Sequence, residues 1–317
     1  MNSRAILATV SAAATLYAAP FAASPPAAAF VAAAAADSHH YSVSARIRPF
    51  LFWISSDDVG DAVIVKRSEA QAVRYSLLIG SDPERAPRRI NRWGYLDEER
   101  RGDQAFLLGL MTESDENSVE EAESAIQKRA GQRTFNIIHS TVAGGEARST
   151  VTSIAAPADY SYRNVDAILD LARRDSREGE TRMKRLPPGT RPGFLVTLAE
   201  VIHGQVTQWQ TLHRVTASDP VTYVYHGHLY QLTIVNTRAL PSVRVGTAMY
   251  EHVISSRFEI RNTDDGTLTP FSMTFGAEGP LAETLLEASY RPRWWIEVQL
   301  ALDDTTPGPA VAGGLNP

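Results

Sequence analysis

Phe135-Asn-Ile-Ile-His-Ser-Thr-Val142, Ala143-Gly-Gly-Glu146 and Arg148-Ser-Thr-Val-Thr-Ser-Ile154 form two β-prone runs flanking a glycine pair. Glycines accept the positive φ of a tight hairpin turn. A turn this short joins only antiparallel neighbours, because a parallel pair needs a crossover of a dozen residues or more. The same grammar recurs outward. Tyr223-Val-Tyr-His-Gly-His-Leu-Tyr230 reads as strand, His226-Gly227 turn, strand. Phe258–Asn262 and Leu268–Phe275 flank Thr263-Asp-Asp-Gly266. Val43, Ala45 and Ile47 alternate with Ser44, Arg46 and Arg48, giving a strand from Tyr41 to Ile54. Ser55–Gly60 then reads as a turn and Ala62–Lys66 as its return. Val73–Ile79, Ala105–Met111 and Trp294–Leu302 complete the strand set.

Helical spacing is rarer. Ser118-Val-Glu-Glu121 has the capping-box pattern ahead of Ala122 and Ile126. Val165–Arg173 is a second helix. A third opens near Pro192 and carries a stripe of Leu195, Leu198, Ile202, Val206, Trp209 and Leu212. Pro280–Ser289 reads as a fourth, short one. The expected class is α+β: mainly antiparallel sheet, sandwich- or barrel-like, with three to four helices packed on it.

The 317 residues contain no cysteine, which excludes disulfide scaffolds, thiolate metal sites and cysteine nucleophiles. The net charge of −5 lacks the basic excess of a duplex nucleic-acid binder. Lysine occurs only at Lys66, Lys128 and Lys184, while the other 28 basic residues are arginine. Arg4 followed by an uncharged Ala5–Ala19 run has the parts of a secretory signal, and an Ala/Pro-rich spacer extends to Ala36. Cleavage is expected at Ala27–Ala29 or before Asp37, leaving a periplasmic or secreted protein without a membrane span. The expected organisation is residues 1–36 as signal and spacer, 37–186 as an N-terminal β-rich lobe, 187–304 as a helix-plus-β lobe that can share one domain with the first, and 305–317 as a disordered tail. The seam between the lobes is Leu186-Pro-Pro-Gly-Thr-Arg-Pro-Gly193.

No Gly-x-Ser-x-Gly elbow, phosphate loop, His-Glu-x-x-His pair or dinucleotide fingerprint is present. The leading candidate site is the loop Asp82–Gly94, where Arg85, Arg88, Arg89, Arg92 and Trp93 crowd together. Guanidinium forks grip carboxylate or phosphate, and an indole face stacks on a sugar. Trp295, on the polar face of the last strand, is the companion platform, with Trp294 opposite it in the core. These residues point to a non-enzymatic binding or structural envelope protein with an acidic small molecule or glycan as partner. The alternative is a glycan hydrolase using dispersed carboxylates, among which Glu259 and Glu297 sit mid-strand and would be raised in pKa if buried.

Other patterns favour structure over chemistry. His226 and His228 fall at a turn, Glu200 and His203 on the wet side of a helix, and Asp57, Asp58 and Asp61 lack the spacing of a calcium loop. Asp37-Ser38-His39-His40 would bind Cu(II) or Ni(II) only as a free N-terminus. No cofactor or metal is called for.

Overall fold

A computed structural model describes residues 36–48, 54–112, 131–175, 177–293 and 296–303. One sheet contains fifteen strands: β1 (Ala36–Ile47), β2 (Ile54–Ser68), β3 (Ala72–Ser81), β4 (Trp93–Arg101), β5 (Gln104–Thr112), β6 (Gln132–Ala143), β7 (Glu146–Pro157), β8 (Arg177–Arg185), β9 (Arg191–Pro192), β10 (Val221–Tyr225), β11 (His228–Val245), β12 (Ala248–Asn262), β13 (Leu268–Gly276), β14 (Leu285–Arg293) and β15 (Ile296–Leu302). Their order is β8-β7-β6-β5-β4-β3-β2-β1-β15-β14-β13-β12-β11-β10-β9. Every neighbour is antiparallel except the short β9–β10 pair. Two α-helices lie among the described residues, α1 (Val165–Asp175) and α2 (Phe194–Leu212).

The connectivity forces the sheet to curl. Laid flat, fifteen strands spaced ~4.8 Å apart would span roughly 65 Å. Yet β8 and β9, at opposite ends, are joined by residues 186–190 alone, a link reaching about 20 Å when fully extended. The ends therefore meet. Leu186 N–H donates to the Gly145 carbonyl at 2.8 Å, and Gly193 N–H donates to the Val224 carbonyl at 3.0 Å. Across the join, Ala105, Leu107, Val142 and Ala147 pack with Val224.

Curling gives the sheet an inner and an outer face. The inner face carries the largest core, which includes Tyr41 and Ala62 from before residue 186 and Leu232, Phe258 and Phe275 from after it. One inner row runs Val43, Leu300, Ala288, Met273, Ser256, Thr237 across adjacent strands. Its polar end is satisfied, since the Thr237 and Ser256 hydroxyls bond at 2.8 Å. Helix α2 packs on β3, β4, β9 and β10, burying Leu195, Leu198, Ile202 and Val206. Trp209, on the same stripe, is half-buried with its Nε1–H donating to Glu278 at 3.0 Å, and Leu212 is exposed. Helix α1 covers the outer side of β7 through Val165, Ile168 and Leu169 over Phe135, Ile137 and Ile154. Its entry is a capping box, Ser161 with Asn164.

Several expectations are corrected. The α+β class becomes a mostly β chain with two described helices rather than three to four. Pro280–Ser289 is not a helix: a 3-10 turn at Gly279–Leu281 leads into β14. Ser55–Gly60 is not a turn but the start of β2, where the register against β1 slips between Val43 and Ala45. A β-bulge uses the same Gly and Asp residues as a turn. The expected helix at Ser118–Ile126, the signal segment, Trp294, Trp295 and the 305–317 tail lie outside the described residues.

Candidate functional site

The Asp82–Gly94 loop is built inward. Asp82 anchors it: its N–H donates to the Val59 carbonyl at 2.8 Å, and its carboxylate accepts from the Glu84 N–H at 2.9 Å, an Asx turn. Arg85 then reaches three carboxylates, Asp58 at 2.5 Å, Asp61 at 2.5 Å and Asp82 at 3.2 Å. Arg163 joins Asp82 at 2.9 Å, and the Tyr162 hydroxyl donates to Asp61. Partial burial lowers the Arg85 pKa, but the Asp61 and Asp58 carboxylates outweigh it and hold the guanidinium above its ordinary value. Arg85 is thus the tie between the β2 bulge and the loop. Arg85→Ala leaves three carboxylates short of a counter-charge, with Asp82 only 10% exposed. The expected cost is about 2 kcal/mol in urea unfolding. Arg85→Lys recovers only part of it, because an ammonium lacks the planar fork.

The remaining loop residues scatter. Arg89 is exposed with φ 55°. Arg92 is half-buried, its N–H donating to Ser81 Oγ at 2.9 Å. The Arg88 side chain lies outside the described residues. Trp93 is not a surface platform: it is 5% exposed and packs at 5.5 Å from the Phe135 ring.

Beside Arg85 the outer face opens into a cleft of about 650 Å³. Four strands supply one cross-strand row to it, Glu287, Ala301, Ser42 and Asp61. The two small residues form a floor between two carboxyls. His40, Asp57, Arg85, Arg244 and Asp303 line the rest. Burial raises the Glu287 pKa, and among the described residues its carboxylate has no hydrogen-bond or ion-pair partner. The next outer row is Ser44, Gln299, Ser289, Ser272, Arg257 and Asn236. Extending the first row past Glu287 gives Thr274, Ser255 and Arg238. On β11–β15 these two rows therefore carry hydroxyl and amide groups and two exposed guanidiniums, Arg238 and Arg257. Neither makes an ion pair among the described residues.

The other candidates resolve locally. His226-Gly227 is a two-residue turn with φ 52° and 71°, and its histidine rings sit at 5.9 Å, edge to face. Glu200 pairs with Arg100 and, at 3.2 Å, with Arg191; His203 lies 2.6 Å from Glu283. Asp37–His40 run in β1 opposite Val63–Lys66, with His39 Nε2 2.9 Å from the Asp37 carboxylate. Asp58 and Asp61 are occupied by Arg85. Glu259 is half-buried between Thr233 and Pro270 on neighbouring strands. Glu297 is buried, but its pKa is not raised. Burial pushes it up, while bonds from Arg291 and Ser289 outweigh that and hold it below its ordinary value. No group of three metal-ligating side chains forms among the described residues.

Sequence reasoning missed Glu98, fully buried on β4. It accepts from the N–H groups of Phe194 at 2.8 Å and Val196 at 3.0 Å, capping α2 from another strand. The only local signal was Gly193, which stands where a helix usually carries a capping side chain. The outer rows were also missed, because they exist only once the register of seven strands is known. No helix among the described residues is long and apolar enough to cross a membrane. No protein-family model, no curated protein and no solved structure matches this chain.

Proposed function

We propose that the chain is an exported, non-enzymatic envelope protein that binds a glycan or an anionic ligand across the outer face of its sandwich-like rolled sheet. The observation that carries this reading is the pair of cross-strand rows: Ser44, Gln299, Ser289, Ser272, Arg257 and Asn236 beside Ser42, Ser255 and Arg238. Apolar strands bury their wet side only against a helix or a second layer. Here the helices pack elsewhere, on β7 and on the inner face of β3, β4, β9 and β10. Short hydroxyl side chains have little rotamer entropy to lose, and two arginines add forks for carboxylate, sulfate or phosphate groups. The cleft beside Arg85 ends the surface and gives an extended ligand a place to terminate. Arg89 stands exposed on the loop that Arg85 secures, where its guanidinium could add a contact to an anionic ligand.

Calorimetric titration with neutral and sulfated oligosaccharides tests this. Arg238→Ala with Arg257→Ala is expected to weaken the sulfated ligand at least about tenfold with the fold intact, each lost charge-assisted contact costing roughly 1.5–3 kcal/mol. Arg89→Ala should weaken it less. Unchanged binding in both variants removes the reading.

The second reading, a glycan hydrolase, is favoured by one observation. Glu287, raised by burial, and Asp61, held by Arg85, line the same cleft. Release of reducing ends that stops in Glu287→Gln would replace the binder with the enzyme.

A further inference from the structure

We propose that the cleft beside Arg85 binds a small zwitterion, an amino acid or dipeptide, with its ammonium on Glu287 and its carboxylate on Arg244. This goes beyond the outer-face reading: a ligand of that size lies within the cleft and does not need the serine and arginine rows.

The two binding groups come from distant parts of the fold. Glu287 stands on β14. Arg244 arrives at the tip of the β11–β12 ribbon. β11 pairs with β10 only as far as Leu232, and β12 pairs with β13 only from Val253, so beyond Leu240 the two strands have only each other. The ribbon leaves β13 at His252, whose φ of 49° breaks the extended path. Its tip is then fixed, because Val245 is 4% exposed and belongs to the largest core. Arg244, Val245 and Gly246 thereby line the same cleft as Glu287.

Both charges are unmatched. Glu287 is half-buried, and burial alone raises its pKa, with no neighbouring donor to favour the charge. Arg244 is exposed and makes no ion pair among the described residues, although Glu251 lies two residues along the same face of the ribbon. Arg85 and Asp61 show what a structural pair looks like in this cleft: the guanidinium closes on the carboxylate. Arg244 and Glu287 do not close on each other. The floor beside Glu287 is Ala301 and Ser42, side chains too short to fill the space. His40 lines the cleft as well, with its Nδ1 buried and without a hydrogen-bond partner, a polar atom for the ligand's peptide group. A volume of about 650 Å³ lies within the range of small-molecule sites. An ammonium has only donors and a carboxylate only acceptors, so the two ends of a zwitterion meet Glu287 and Arg244 in one orientation.

Ligand-observed NMR titration of the full chain at pH 7 with dialanine, N-acetyl-dialanine and dialanine amide reads both ends. Dialanine should bind at least about tenfold more tightly than either capped form, the scale of one lost charge-assisted bond. Glu287→Gln should weaken dialanine about tenfold and leave N-acetyl-dialanine unchanged, since that ligand has no ammonium to lose. Arg244→Gln should weaken dialanine to a similar degree and leave the amide unchanged. Arg244 is exposed, so this variant decides the matter if Glu287→Gln does not fold. Arg238→Ala with Arg257→Ala should leave dialanine binding as it is, so this result and the sulfated-oligosaccharide result can fail separately. No saturable dialanine binding, capped forms that bind as well as dialanine, a loss in either cleft variant that ignores the caps, or an equal loss in the Arg238/Arg257 variant would each overturn the proposal.

Discussion

Gly60→Ala is expected to be the most damaging single methyl group in this chain, costing at least about 3 kcal/mol and in practice preventing stable folding. Gly60 has no positive φ, so the reason is not backbone freedom. Strand β2 is pinched at this point between β1, where the register slips at Val43/Ala45, and β3, where Gly60 stands opposite Ser81. A Cβ on Gly60 would fall inside the carbonyl oxygen of Gly80 and lie 2.7 Å from the Ser81 Cα. Both are backbone atoms, which cannot step aside as a side-chain tip can. Gly80 cannot yield either, because a Cβ there would stand 2.6 Å from Tyr162 Cδ1 and 2.7 Å from Trp93 Cβ. The crowding reaches the candidate site through Asp61, which follows Gly60 and accepts from both Arg85 and Tyr162. Gly204→Ala is the contrasting substitution. Gly204 is exposed within α2 with open space around it and no positive φ, so alanine should stabilise by about 0.5–1 kcal/mol. Urea unfolding of the two variants side by side makes the comparison. A Gly60→Ala protein within 1 kcal/mol of the parent would show that the β2–β3 approach relaxes and that the cleft rests on a softer frame.

The residues that were legible in the sequence are those whose structure is decided by neighbours a few positions away. The Ala143–Glu146 and His226-Gly227 hairpins are of this kind, because turn chemistry and strand alternation sit within one short window. The α2 stripe from Leu195 to Val206 is another. Two strands were invisible for a shared reason. β4 carries Asp97 and Glu98 side by side, both buried. A charge pair in the middle of a strand reads as loop until its partners are known, and those are Arg74 and Ser76 for Asp97 and the α2 amides for Glu98. β8 is charged along its length, which is how an edge strand avoids foreign pairing, and the same composition marks a boundary. β14 was mistaken for a helix because a short apolar run has no period of its own. The candidate site divided likewise. Arg85 was visible as an arginine, but three acids from two separate segments turn it into a tie. The Ser/Gln/Arg rows depend on the register of seven strands, which no window of sequence contains.

Glu98 yields the second large effect, with a sign opposite to that of most carboxylates. Burial pushes its pKa up to about 7, working against the N–H groups of Val196, Phe194 and Leu195 that stabilise the charge, while the neighbouring Asp97 adds to the rise. Tyr223 and Tyr225 pack nearby and are themselves raised by burial. A carboxyl whose folded value lies above its ordinary one binds more protons in the folded chain than in the unfolded chain. Its contribution is therefore complete below about pH 4.5, falls as the pH rises towards 7, and is flat above that. The span corresponds to roughly 3 kcal/mol. Glu98→Gln keeps the shape and removes the titration. In urea unfolding at pH 5 and pH 8, the stability of Glu98→Gln relative to the parent should improve by about 3 kcal/mol at the higher pH. The same relative stability at both values would mean that the helix amides fully offset the burial. The group has no easy replacement as a cap, since Gly193 offers no side chain and any Cβ there would collide with Glu98 and approach Leu107 Cδ2 to 2.9 Å. The helix that organises the inner core thus begins on a carboxylate whose charge is costly near neutral pH, and the cost is borne because the same two oxygens bind β4 to α2 across nearly a hundred residues of chain.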